Sequence, residues 1–132
     1  PPSIDPGSLN DRVFKMQSDL IKEKADTENC VIVGRCANYV LEDRENVIRV
    51  FIYADVEKRI NRIMSRHGIA DRDVAVKLIK KVDKQRRAYY QFYSEMKWGR
   101  VEGQDLMINS GLLGVDGTVA LLKAAVEAKM GK

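Results

Sequence analysis

Arg59, Arg62 and Arg66 fall at i, i+3 and i+7 in a stretch of helical character, so their guanidinium groups share one face. Three like charges on one face repel unless acids or an anion lie opposite, and Glu57 alone does not balance them. Singly, each suits a solvated surface; as a set placed straight after an apolar run, they suit an anionic ligand. Asp83 and Arg86 again share a helical face, followed by Tyr89, Tyr90 and Tyr93. The plain reading is an intrahelical pair worth about 0.2–0.5 kcal/mol with the tyrosines in a core. The chemical reading has Asp83 orient the Arg86 guanidinium or accept from a substrate hydroxyl. Arg35 follows directly on an apolar β-branched run, where a guanidinium can hold a phosphate or carboxylate through two hydrogen bonds or can simply cap or pair on the surface.

Nothing in the chain supplies an obvious nucleophile with its base. There is one histidine, no serine in a nucleophile elbow, and no carboxylate pair at catalytic spacing. Chemistry that needs positioning and positive charge rather than a nucleophile is phosphoryl transfer. Charge is concentrated to match: residues 57–87 hold eleven Lys or Arg against four acids, a balance of +7 within a chain of net +4. The remainder is therefore mildly acidic, which points to an anion bound at one place rather than to general adhesion.

The elements that must position these residues follow from periodicity. Ser8 suits an N-cap for a helix in which Val13, Phe14, Gln17, Leu20, Ile21 and Lys24 recur at helical spacing to about Asp26. Cys30–Gly34 and Val47–Tyr53 read as strands buried on both faces, the second leading into Asp55 as cap of a helix over 56–66 that Gly68 closes. Apolar residues at helical spacing continue over 71–97, as one helix or two. Asp105–Asn109 reads as a third strand, Gly111 and Gly114 as a turn, and Val115, Val119, Leu122, Val126 and Met130 as the apolar face of a last helix. This order is that of an open α/β sheet with parallel strands. Ligands of such sheets bind outside the carboxyl ends of the strands, where Arg35, Asp55, Asn109 and Ser110 stand.

Composition excludes several classes. At 132 residues and 45% hydrophobic, the chain suits one domain able to bury a core, with residues 1–8 as a Pro, Gly and Ser linker. The longest apolar run, 50–54, falls far short of the roughly 18 residues of a membrane span, so a cytoplasmic protein is the expectation. Cys30, Cys36 and the single His67 give neither metal-ligand spacing nor a disulfide framework, so reduced thiols are expected and no metal ligand is assigned.

The segments Cys30–Leu41, Arg49–Ala54, Glu57–Ile63, Val82–Tyr90, Trp98 and Asp105–Ser110, in this order, resemble the second half of the cytidylate kinase-like family of nucleoside monophosphate kinases. The likeness extends over about 10–125. It implies a P-loop NTPase-like three-layer α/β/α fold with a parallel sheet, represented here without its N-terminal P-loop strand, and a single kinase-like domain whose residues 55–98 form a basic lid-like arm. By the same likeness Arg35 contacts the acceptor nucleotide. Arg59, Arg62 and Arg66 close over the triphosphate donor, with Arg62 stabilising the transferring group. Asp83 and Arg86 match a D-x-x-R facing acceptor and transferred phosphate, and the segment at Asn109 and Ser110 borders the donor's adenine. The implied partners are ATP, Mg²⁺ and a nucleoside monophosphate of CMP or dCMP type, with no membrane and with homo-oligomerisation left open.

No G-x-x-x-x-G-K-[ST] occurs in the chain, so the phosphate cradle, its lysine and the Mg²⁺-holding hydroxyl are not among these residues. The resemblance thus implies that this chain supplies half of a site and is inactive by itself. A second reading is a non-catalytic module whose basic arm holds RNA or another polyanion. Against nucleic acid stands the placement of Tyr89, Tyr90 and Tyr93 on helix faces rather than on a strand platform that stacks bases.

Overall fold

The structure is a computed structural model that describes residues 8–131. The linker expected over 1–8 lies outside the described residues except for Ser8, whose hydroxyl accepts from the Asp11 amide at 3.1 Å and starts helix α1, Leu9–Thr27. A four-residue helix α2, Ala37–Val40, follows, then strand β1, Val50–Tyr53, and helix α3, Val56–His67. Helix α4, Arg72–Ser94, leads to strand β2, Leu106–Asn109, and helix α5, Ser110–Lys129. β1 and β2 pair in parallel, Val50 opposite Leu106 and Tyr53 opposite Asn109. The expected mixed α/β arrangement with parallel strands is therefore present, the crossover being made by α3 and α4.

Cys30–Gly34 corrects the sequence reading: it is not a strand. Among the described residues it has no ladder partner, and Val31 and Val33 are 93% and 86% exposed. β-branched residues favour a pleated, half-buried surface, but a strand exists through its hydrogen-bonded neighbour, and none of the described residues supplies one. The other two strands form but are shorter than expected, each beginning after the residue that ties them together. Arg49 offers its carbonyl to the amides of Asp105 at 2.7 Å and Leu106 at 3.0 Å.

Two clusters make the core. Ile60 on α3, 1% exposed, packs with Ala75 and Ile79 of α4 and is flanked by Ile63, Met64 and Ile69. Burying a side chain of that size stabilises the hairpin by about 1.5–3 kcal/mol. The second cluster joins α1 to the far end of α4: Phe14 stacks on Tyr93 with centroids 3.9 Å apart and planes 8° from parallel, over Cys36 and Tyr90. The stretch 71–97, open in the sequence between one helix and two, is one 23-residue helix stopped by Glu95 in a left-handed conformation, φ 61.

Gly68, φ 63, ends α3 as expected. In α5 the turn expected at the glycines is a break inside the helix: Gly114 has φ 72 and ψ 177, and Thr118 donates its hydroxyl to the Gly114 carbonyl at 2.7 Å. The face expected to be apolar forms on this helix, yet Val115, Val119, Val126 and Met130 are exposed among the described residues.

Candidate anion site

Because Tyr53 lies opposite Asn109, the chain leaves both strands side by side at their carboxyl ends. Asp55 stands at the head of α3, although its side chain makes no capping hydrogen bond. Asn109 and Ser110 close the turn into α5: the Asn109 side-chain oxygen accepts from the Gly111 amide at 3.0 Å, and the Ser110 hydroxyl donates to the Tyr53 carbonyl at 3.2 Å. Both side chains expected to border a ligand are thus engaged in backbone contacts of this turn. Lys58 donates to the Gly111 carbonyl and ties α3 to the same turn. Sequence reasoning missed Lys58, since one lysine in a basic helix carries no signal of its target. A Cβ on Gly111 would meet Lys58 Cδ at 3.0 Å, Asn109 Oδ1 at 3.1 Å and Ala54 Cβ at 3.3 Å, so a larger residue there would have to push these side chains aside by a few tenths of an ångström.

Asp83 does not pair with Arg86 along its helix. Its two oxygens accept from the Arg59 guanidinium at 2.7 and 2.8 Å, across the α3–α4 hairpin. The planar fork of a guanidinium matches both carboxylate oxygens at once, which the helical pair cannot better. The side chains are 32% and 15% exposed, so the pair is partly withdrawn from solvent. The hydrogen bond with Asp83 raises the Arg59 pKa above its ordinary value, against the opposing effect of burial.

This pairing divides the arginines. Arg59 is held by Asp83, whereas Arg62, Arg66 and Arg86 are exposed, and among the described residues none has an ion-pair partner. Arg35 sits in a run of three left-handed residues, Gly34 at φ 74, Arg35 at φ 57 and Cys36 at φ 56. For the two non-glycine residues that conformation costs about 1–2 kcal/mol each, and such strain clusters at ligand-binding positions. The Arg35 guanidinium lies against the Tyr89 hydroxyl, three residues along α4 from Arg86. Burial raises the Tyr89 pKa, and the neighbouring Cys36 adds to it, while Arg35 pulls the other way.

Beneath Tyr89 lies a packed cluster of Phe14, Cys36, Tyr90 and Tyr93. The Tyr93 hydroxyl donates to Asp11 at 2.8 Å, and burial together with that bond pushes its pKa up to about 12. Cys36 is buried beside it, and burial pushes its thiol up to about 11, which keeps it protonated and unreactive.

The cofactors implied by the resemblance fit these residues unequally. Arg62, Arg66 and Arg86 offer charge to a polyphosphate. Among the described residues no three His, Cys, Asp or Glu side chains converge, and Asp83 has both oxygens bound by Arg59, so no residue of this site is assigned to Mg²⁺.

Comparison with known proteins identifies the family of the chain. The profile of the cytidylate kinase-like family matches residues 5–112. A cytidylate kinase of Archaeoglobus fulgidus is 31% identical over 121 residues, covering 91% of this chain and 66% of that protein. A cytidylate kinase of Thermococcus kodakarensis is 29% identical over 108 residues, covering 80% of this chain and 53% of that protein. The crystal structure of an uncharacterized protein from Eubacterium ventriosum superposes with a TM-score of 0.83 at 34% identity, covering 94% of this chain and 78% of that one. The chain spans between about half and two thirds of the curated relatives named here. Among the described residues no helix is long and apolar enough to cross a membrane. With its parallel strands, its helical crossover and a profile match over most of its length, the chain belongs to the cytidylate kinase-like family.

Proposed function

We propose that the complete protein is an ATP-dependent nucleoside monophosphate kinase acting on an acceptor of CMP or dCMP type, in the cytoplasm, and that residues 55–98 are its lid-like arm within one kinase-like domain. The observation that carries this reading is the Arg59–Asp83 clamp. It fixes α3 against α4 while leaving Arg62, Arg66 and Arg86, on the two helices that follow β1, without ion-pair partners among the described residues. In a member of this family, unpaired guanidiniums at such a place support the holding of phosphates.

Bound ATP supplies the phosphoryl group; an acceptor phosphate oxygen bonds to its γ-phosphorus as the bond to the β–γ bridging oxygen breaks, giving the nucleoside diphosphate and ADP. Within that transfer Arg62 and Arg66 bind and orient the donor phosphates, and Arg86 faces the group in transit. Charge in transit is spread over peripheral oxygens, so fixed guanidiniums stabilise it without reorganising. Arg35 holds the acceptor, its strained backbone presenting the side chain outward beside Tyr89. Asp83 acts through Arg59 as a positioning residue, since its carboxylate is engaged there. The phosphate cradle has no counterpart among these 132 residues, so this chain alone is proposed to be inactive.

The test is a coupled assay of the full encoded protein with ATP, Mg²⁺ and each nucleoside monophosphate. Turnover is expected with CMP or dCMP, and Arg62→Ala or Arg86→Ala should lower kcat by roughly a hundredfold or more. A folded full-length protein that phosphorylates no nucleoside monophosphate overturns the reading.

A further inference from the structure

A second basic feature lies on another face of α4. Arg87 follows Arg86 but points about 100° further round the helix. With Gln91 one turn on, and Lys97, Trp98 and Arg100 from the loop beyond α4, it lines a cleft of about 270 Å³. Three cations, one carboxamide and one indole line this cleft, with no acid among them. Among the described residues none of Arg87, Lys97 and Arg100 has an ion-pair partner. Trp98 is half-buried and held by Phe51, edge to face at 5.4 Å and 74°. Gly99 takes φ +80, and a Cβ there would sit 3.6 Å from the Phe51 ring, so the loop follows that ring closely. The cleft also has a charged approach. Lys77, Lys80 and Lys84 lead to Arg87 and Gln91 at spacings of three and four residues, all exposed and on the face opposite buried Ala75, Ile79 and Tyr93.

We propose that this cleft binds a nucleoside phosphate, with the base against Trp98 and the Gln91 amide and the phosphate between Arg87, Lys97 and Arg100. The chemistry selects that class. A fixed indole offers an aromatic surface that every base can contact, and Arg is suited to phosphate through its fork of donors. A carboxamide can pair with a base edge. At about 270 Å³ the cleft is too small for a duplex and admits at most one nucleotide unit, part of which stays in solvent. A bare inorganic anion would leave the indole and carboxamide without a role. The unit comes either from a free nucleotide or from a single strand whose further phosphates follow the lysines of α4, and the experiment separates the two.

Trp98 is the one tryptophan of the chain, so its emission reports on the cleft directly. The protein is titrated with AMP, CMP and ATP, and separately with a short single-stranded oligonucleotide, while Trp98 fluorescence is followed. Saturable quenching is expected. Arg87→Ala combined with Arg100→Ala should weaken it by roughly tenfold or more, because hydrogen bonds to charged groups are each worth about 1.5–3 kcal/mol. The circular dichroism of that variant should match the parent. Quenching by mononucleotides alone assigns a free nucleotide. Tighter binding of the strand, with a log K against log salt slope that flattens by roughly 0.7 per lysine removed at 77, 80 or 84, assigns nucleic acid. The proposal is independent of the kinase reading, so Arg86→Ala should leave the quenching in place. A signal lost in Arg86→Ala but kept in the Arg87/Arg100 variant belongs to the anion site and overturns the proposal, as does unchanged emission with every probe.

Discussion

Arg59 and Asp83 are joined by two hydrogen bonds of 2.8 and 2.7 Å, although 24 residues separate them in the chain. The bond fastens the first turn of α3 to the middle of α4, just beyond the core formed by Ile60 and Ile79. It sets the angle at which Arg62, Arg66 and Arg86 are presented. Removing one partner leaves a partly buried charge uncompensated, whereas removing both removes the problem. Arg59→Ala and Asp83→Ala should therefore each destabilise by about 1–3 kcal/mol, and the double variant by less than their sum. Urea unfolding of the four proteins measures this; strictly additive losses would show that the pair is not coupled.

How much of this was legible in the sequence depends on the range of the interaction. Gly68, Ser8 and the helical spacing of 71–94 act within a few residues, and the structure follows them. Val47–Tyr53 and Asp105–Asn109 are apolar runs that find each other, so two of the three expected strands form. Cys30–Gly34 has the same composition but no ladder partner among the described residues, and composition alone does not make a strand. The site follows the same rule: the arginines on α3 are visible by their spacing. Which of them Asp83 takes is not, because an i, i+3 partner is visible in sequence and a partner on the next helix is not. The distant targets of Lys58 and Arg49 are hidden in the same way.

Arg49 is a staple rather than a ligand residue. Its guanidinium donates to the carbonyls of Asn38 at 3.3 Å, Leu41 and Arg44 at 3.1 Å, and lies 3.5 Å from Asp105 Oδ2. Asp105 Oδ2 also accepts from the Arg49 amide at 2.7 Å. One side chain thereby satisfies the carbonyls around α2 and fixes them to the start of both strands. Arg49→Ala should destabilise by about 1–3 kcal/mol, as several partly buried acceptors lose a charged donor together. Arg49→Lys should recover less than half, since one ammonium does not span these acceptors as a planar fork does. Thermal or urea unfolding distinguishes this from a simple surface charge, for which both changes would be nearly silent.

The cluster beneath Tyr89 should make the fold sensitive to alkali. Burial holds Cys36 at about 11 against an ordinary 9.0, and Tyr93 at about 12 against 10.0, with the bond to Asp11 adding to the second. In both cases the neutral, protonated form is favoured by folding, so between the unfolded and folded values the unfolded chain has already released a proton that the folded chain retains. Stability is therefore complete below pH 9.0 and falls from there towards about 12. Tyr93→Phe keeps the ring stacked on Phe14 but loses the hydroxyl; it should lower stability at neutral pH by about 0.5–1.5 kcal/mol and remove the later part of the alkaline loss. Cys36→Ala should remove the earlier part. Urea midpoints measured across that pH range read both effects, and a thiol reagent at neutral pH should label exposed Cys30 while sparing Cys36 until the protein unfolds. Equal labelling of both cysteines in the folded protein would show that the Phe14, Cys36 and Tyr93 cluster opens readily, and with it the support beneath Arg35.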